Sequence, residues 1–141
     1  MTMREVVFRG KLKADNGEHK KGDWGYGDLV RMKDGNNIKT FIYGFGEVDP
    51  ETVGQYIGQN DKNHKKVFEG DVLYHKPKYS LKAEKYYIFF EDSSFYYRDP
   101  TKEYGTPIDD NEFGLNVSHY KIIGNIHDNP ELIKDGEYDA N

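Results

Sequence analysis

The side chains best suited to acid–base or metal chemistry are three carboxylates beside glycines, Asp28, Glu69 and Asp71, and five histidines, His19, His64, His75, His119 and His127. A two-carboxylate hydrolase or a magnesium site needs such carboxylates to converge. Residues 69 and 71 have the same strand parity and can share a face unless Gly70 introduces a bulge. Nothing in the spacing requires convergence, and short acidic residues next to glycine ordinarily serve turns and strand ends, so the structural reading takes precedence. The histidines form no HExxH or close His-x-His arrangement, which leaves surface or structural roles. His127 stands beside Asp128, whose carboxylate would raise its basicity, but a general base also needs a positioned substrate.

Other familiar chemistries lack their parts. With no cysteine in the chain, disulfides, thiolate-bound metals and thiol nucleophiles are excluded together, and a reducing cytoplasm is the simplest home. No phosphate-binding loop of the Gly-x-x-x-x-Gly-Lys-Ser/Thr type is present, and Gly44 and Gly46 do not continue into a dinucleotide fingerprint. Ser80, Ser93, Ser94 and Ser118 stand in no nucleophile elbow. No cofactor is called for, and no catalytic set is visibly assembled.

The segment from His75 to Tyr87 is the most functional in character, with Lys76, Lys78, Lys82 and Lys85 interleaved with Tyr79, Tyr86 and Tyr87. Lysines that track phosphates and tyrosines that stack on bases are the means of single-strand binders, which makes Lys76, Lys78, Tyr79, Lys82, Lys85 and Tyr86 candidate nucleic-acid contacts. The plainer reading is a core strand beginning at Tyr86, preceded by a lysine-solubilised loop. The chain has only four arginines, Arg4, Arg9, Arg31 and Arg98, and a formal charge of −5. That acidity is local, since residues 109–141 hold 8 acidic and 2 basic groups while residues 1–108 hold 17 and 18. A uniformly basic surface is thus absent, but a local basic patch is not.

These residues must be carried by elements that 141 residues can build, the usual size of one domain. The 12 Tyr and 8 Phe supply large apolar area and favour strands. Trp24 and Tyr26 suit a core, an interface or a ligand groove, and so many aromatics in a small domain predict self-association alongside an unidentified protein partner. The N-terminal residues lead directly into an alternating pattern, and no apolar run reaches the roughly 18 residues of a membrane span, so no membrane partner is expected.

Strands are predicted over Val6–Leu12, Trp24–Met32, Ile38–Phe45, Val67–Tyr74, Tyr86–Phe90, Phe95–Arg98 and Tyr120–Ile126. A four-residue connection, Glu91 to Ser94, joins two of them, and Gly70 inside its run predicts a bulge or a close backbone approach. Asp49-Pro50 followed by Val53, Tyr56 and Ile57 predicts about two helical turns ending at Gly58. Asn129-Pro130 repeats that start signal for a second short helix. Residues 99–112 read as an exposed loop and residues 135–141 as a frayed acidic tail after a single domain over 1–134.

The order of motifs resembles the YopX family. It runs Phe8-Arg9-Gly10; Trp24 with Tyr26-Gly27-Asp28-Leu29; Val48-Asp49-Pro50-Glu51-Thr52-Val53-Gly54-Gln55-Tyr56-Ile57-Gly58; Phe68-Glu69-Gly70-Asp71-Val72; and Ile123-Gly124-Asn125-Ile126-His127-Asp128-Asn129-Pro130-Glu131-Leu132. The resemblance implies a mainly β fold, small and barrel-like with a strongly bent sheet and one or two short capping helices. It also implies an origin in phages or integrated mobile elements, and it implies no established activity. The matching positions Trp24, Tyr26, Gly27, Asp28, Asp49, Pro50, Gly54, Glu69, Gly70, Asp71, Gly124, Asn125, Asn129 and Pro130 read as structural. The leading functional expectation is a non-enzymatic accessory or interaction protein in the bacterial cytoplasm, with nucleic-acid binding through residues 76–87 as the alternative. Residues 76–84 and 99–112 match no family pattern, so individual specificity is expected there.

Overall fold

A computed structural model describes residues 5–108 and 115–134; the predicted tail over 135–141 and the end of the predicted loop, 109–112, lie outside them. The chain is mainly β, as the aromatic strand pattern predicts, with short 3₁₀ turns as its helical content. It divides into two compact units, Met1–Gly58 and Gln59–Asn141. No helix among the described residues is long and apolar enough to cross a membrane.

In the first unit, β1 (Phe8–Lys11) pairs antiparallel with β2 (Trp24–Gly27) and with β6, which starts at Gly54. β3 (Leu29–Asp34), β4 (Asn37–Ile42) and β5 (Gly46–Glu47) form a second sheet. Leu12, Ile42 and Val48 are buried. Val48 fits because a Cβ on Gly10 would come within 2.9 Å of its methyl, so glycine there is a packing requirement. The run predicted as one strand, Trp24–Met32, is two. Gly27 at φ +153° lets the chain leave β1 as its partner and enter β3, which pairs with β4 through the turn Gly35-Asn36. Only Gly35 of that pair has positive φ, +64°, the pattern of a type II′ hairpin turn.

The predicted two-turn helix over 49–58 is not formed. Asp49 does cap, its Oδ1 accepting from the Glu51 N–H at 3.0 Å, but the 3₁₀ turn covers only Pro50–Thr52. From Gly54 the chain is strand β6, running to Asn60. Glycines at 54 and 58 each weaken a helix by about 1 kcal/mol, and Thr52, Val53 and Ile57 are β-branched. Pairing of Gln55 with Phe8 and Gly54 with Arg9 then satisfies the backbone that a short isolated helix would leave marginal. Thr52 is the hinge of this change: its Oγ1 accepts from the Lys11 N–H at 2.9 Å and donates to the Asp49 carbonyl at 2.6 Å.

The second unit is built on the sheet β11-β10-β9-β8-β12. Its strands are β8 (Asp71–His75), β9 (Glu84–Glu91), β10 (Ser94–Arg98), β11 (Thr106–Pro107) and β12 (Lys121–Asn125), preceded by the short β7 (Lys66–Phe68). Val72 and Leu73 are successive residues of one strand and both fully buried, so both faces of this sheet are covered where they lie. The expected bulge at Gly70 is a complete break: φ there is +95°, and its N–H donates to the Ile88 carbonyl while its own carbonyl accepts from Ile126. Buried Asp71 braces the corner by accepting from the Phe68 N–H at 2.8 Å.

The β9–β10 connection is tighter than the four residues predicted. Glu91 and Ser94 pair, leaving only Asp92 and Ser93, both left-handed at φ +49° and +67°, as a type I′ turn demands. The loop predicted over 99–112 contains β11, which pairs Thr106 with Tyr97 and Pro107 with Tyr96; the proline is tolerated because β11 is an edge. The helix predicted at Asn129-Pro130 is one 3₁₀ turn, Pro130–Ile133.

Asp61 ties this unit together. Its Oδ1 accepts from the backbone N–H of Asn63 and Lys65 at 2.8 and 2.9 Å, and its Oδ2 from Ile122 at 3.1 Å. Burial alone would raise its pKa, but the three backbone donors outweigh it and hold the carboxyl below its usual value. A group with a depressed folded pKa stabilises above its unfolded pKa, about 3.9, and that stabilisation is lost as pH falls. Asp61→Ala is therefore expected to lower stability by about 3 kcal/mol at neutral pH, with the gap to the parent narrowing below about pH 4; urea denaturation across pH checks this, and a pH-independent gap would refute the carboxylate's role.

Candidate functional site

Between β8 and β9 the chain makes a polar excursion over residues 76–83. Pro77 accepts from the Ser80 N–H at 3.1 Å, and the Ser80 hydroxyl donates to the Lys82 carbonyl at 3.0 Å, so the loop is folded on itself. Lys76, Lys78, Tyr79, Leu81 and Lys82 are all exposed, Tyr79 at 93% and Leu81 at 98%. The Lys78 ammonium lies 5.6 Å from the Tyr79 ring centre, a cation–π distance.

The six residues singled out in the sequence do not form one surface. Lys76, Lys78, Tyr79 and Lys82 stay together on the excursion, while Lys85 and Tyr86 belong to β9. Lys85 is 5% exposed. Burial pushes its ammonium below the usual lysine range, opposed by the nearby Asp99 carboxylate. Such an ammonium is not placed to track phosphates. Tyr86, on the opposite parity, enters a row of rings: it meets Tyr97 edge-on at 5.0 Å and Tyr120 at 5.8 Å, and Tyr120 meets His75 at 5.2 Å. These contacts follow from register, since Leu73 opposes Tyr86 and Ile88 opposes Tyr97, which puts Leu73, Tyr86, Ile88 and Tyr97 on one face.

Beside that ring row lies a groove. A hollow of about 520 Å³ is lined by Ser80, Lys82, Glu84, Tyr86, Asp99, Thr101 and Lys102 among others. A neighbouring one of about 190 Å³ shares Tyr86, Asp99 and Lys102 and adds Tyr97, Tyr104 and Thr106. The first lies in the size range of small-ligand sites. Its carboxylates are held from behind: the Tyr120 hydroxyl donates to Glu84 Oε2, and Asp99 Oδ1 accepts from the Thr101 N–H and hydroxyl at 2.8 and 2.7 Å. Burial, followed by the Glu84 carboxylate, raises the Tyr120 phenol far above the ordinary tyrosine value, so it stays a donor to Glu84. Arg98 pins the groove's loop, donating from Nε to the Lys102 carbonyl at 2.6 Å and from Nη1 to the Tyr87 hydroxyl at 2.9 Å.

The groove residues Tyr97, Asp99, Thr101, Lys102 and Tyr104 were not singled out one by one in the sequence. The available signal was their place in or beside a segment without family pattern. His75 and His119 come within 6.3 Å ring to ring, a juxtaposition no linear motif reveals. Among the described residues no group of three or more His, Asp or Glu is arranged to hold a metal ion.

The family-matching positions lie mostly at turns and strand pairings. Trp24 stacks under the Arg9 guanidinium at 4.6 Å, and Tyr26 is exposed on β2. The Asp28 carbonyl accepts from the Tyr43 N–H, and the Asp28 side chain is exposed; Glu69 is half-buried and Asp71 buried. Asp49 and Pro50 start the first 3₁₀ turn, and Gly54 opens β6. Asn125 Oδ1 accepts from the N–H groups of both His127 and Asp128. Gly124 leaves room for Asn129, whose Oδ1 would lie 2.4 Å from a Cβ there and accepts from the Asn125 N–H; Pro130 opens the last 3₁₀ turn.

The chain belongs to the YopX family: the model described as "YopX protein" matches residues 11–134. No curated protein matches the chain. Among solved structures it is similar to the crystal structure of protein EF1440 from Enterococcus faecalis, at 22% identity and a TM-score of 0.47, covering 94% of this chain and all of that one.

Proposed function

We propose that this chain is a non-enzymatic accessory protein of a phage or integrated mobile element, acting by binding in the cytoplasm of a bacterial host. The surface it uses is the excursion between β8 and β9. One observation carries the reading: Tyr79 and Leu81 are 93% and 98% exposed, and both stand among the exposed lysines 76, 78 and 82. A large aromatic and a leucine held out by an ordered loop are anchors of the kind that fill a partner's pocket. Lysines around them suit a protein partner with an acidic rim.

Capture from phage-infected host cells with the parent chain and a Tyr79→Ser/Leu81→Ser variant tests this. The partner is expected with the parent only, and its affinity for the variant to fall by about thirtyfold, the loss of a hot-spot contact worth about 2 kcal/mol. Identical capture by both chains would overturn the reading.

A second reading, single-stranded nucleic acid as the ligand, is favoured by the same loop's three lysines around an accessible tyrosine ring. Reversal of Lys76, Lys78 and Lys82 to Glu is expected to abolish binding of labelled single strands, binding that weakens steeply with salt. Lys85 is left out because it is buried. Absence of salt-dependent binding at low ionic strength retires this alternative.

Self-association is part of the leading proposal. In the first unit the β3–β4 hairpin is exposed from Arg31 to Lys39, with Met32 and Ile38 each 56% exposed, although a two-stranded ribbon in water is marginal by itself. Light scattering at high micromolar concentration is expected to give a mass above the monomer, reduced by Met32→Ser/Ile38→Ser; a strictly monomeric parent removes this element.

A further inference from the structure

We propose that the groove floored by Tyr86 and Tyr97 and rimmed by Tyr104 is a binding site for a neutral saccharide. The inference rests on the reading that this unit acts by binding, and it assigns a ligand class to a second part of its surface.

The chemistry of the free groups selects the ligand. Asp99 spends Oδ1 on Thr101 and Glu84 spends Oε2 on Tyr120. No hydrogen bond or ion pair among the described residues engages Asp99 Oδ2, Glu84 Oε1 or the ammonium groups of Lys82 and Lys102. The groove therefore offers two acceptor carboxylates and two donor ammoniums, with the Lys85 charge also acting on Asp99, so charges of both signs meet any ligand. A phosphate ester would face both carboxylates, and a cation both lysines, so either would meet like charge. A polyol meets no such penalty, because each hydroxyl both donates and accepts.

The rings supply the other half of the match. Tyr86 and Tyr97 meet edge to face at 5.0 Å and so line the floor with differently inclined surfaces. Tyr104, 67% exposed, stands at the rim of the smaller hollow. Aromatic side chains with a polar tip suit a ligand that is apolar on its C–H faces and polar at its edges, the character of a pyranose ring. The hollows of about 520 and 190 Å³ adjoin at Tyr86, Asp99 and Lys102, and the larger has room for a sugar ring. The site is also preorganised, since Arg98 fixes the Lys102 backbone and Tyr120 fixes Glu84, which lowers the ordering cost of binding.

The test is an amide-resonance titration of the labelled full chain with maltotriose, cellotriose and triacetylchitotriose at millimolar concentrations, with triglycine as a zwitterionic comparison. At least one trisaccharide is expected to shift resonances of residues 84–86 and 97–106. Tyr104→Ala is expected to weaken that binding by roughly tenfold, the removal of one ring contact, with Asp99→Asn weakening it in the same direction. Tyr43→Ser, an exposed tyrosine of the first unit, is expected to leave it unchanged. Because Tyr104 is exposed, the alanine variant keeps its fold, and an unaltered parent-like spectrum verifies this. The proposal is overturned if no trisaccharide shifts these resonances, if triglycine shifts them where the sugars do not, or if Tyr104→Ala retains parental affinity. Loss of partner capture in the Tyr79/Leu81 variant is read independently, so failure of the groove and failure of the loop are separate results.

Discussion

A buried carboxylate that accepts three backbone hydrogen bonds is the constraint on which the second unit depends. Asp61 closes the turn before β7 and holds the N–H of Ile122, 61 residues away in sequence, at the start of β12. The Lys62 N–H donates to the Tyr120 carbonyl beside it, so two successive residues of the turn grip the entry to that strand. With that entry fixed, the Tyr120 hydroxyl reaches Glu84 and its ring joins the row that ends at Tyr97. The groove is downstream of this clamp. A carboxylate taken out of water costs several kcal/mol unless its lone pairs are filled, so Asp61 stabilises one arrangement of these three segments and penalises the others.

The same unit shows how strand parity divides a continuous basic and aromatic segment into unlike roles. Residues 76–83 carry no ladder and leave their side chains in water. From Glu84 to Tyr87 the chain is paired with β8, and from Tyr87 to Glu91 with β10, and successive residues must take opposite faces. Lys85 is thereby driven inward beside the Asp99 charge, Tyr86 into the ring row, and Ile88 into the core. One segment thus supplies a projecting loop with exposed Tyr79, Leu81 and lysines, and a groove wall with Tyr86 and Glu84.

Glycine serves two separate ends in this chain. In the first unit Gly10 and Gly25 are packing residues: a Cβ on Gly25 would lie 2.1 Å from the Phe45 ring, so the backbone itself is the surface that Phe45 covers. At Gly27 and Gly70 the requirement is conformational, and each marks the point where a strand leaves one partner and takes another. Both uses recur in segments that match the family. A pattern of glycines, aspartates and prolines that fixes corners defines a fold without specifying a ligand.

Several features were legible in the residues alone. Aromatic enrichment pointed to a mainly β class, the ordered motifs to the family, and the missing cysteines and loops removed whole chemistries. These depend on composition and local patterns, which the chain carries wherever it folds. The fate of residues 49–58 was not local. Asp49 and Pro50 begin a helix by their own chemistry, but the N–H and carbonyl groups of Phe8 and Arg9, more than 40 residues earlier, made strand pairing the better use of Gly54 and Gln55. The groove was hidden for the same reason. Its walls come from β8–β9, β10 and the segment before β11, and only the register that sets Tyr86 beside Tyr97 and carries Asp99 and Lys102 to the same hollow gathers these scattered residues. Local sequence decides what a residue can do; long-range pairing decides which residues do it together, because convergence is set by hydrogen-bond partners that lie far off along the chain.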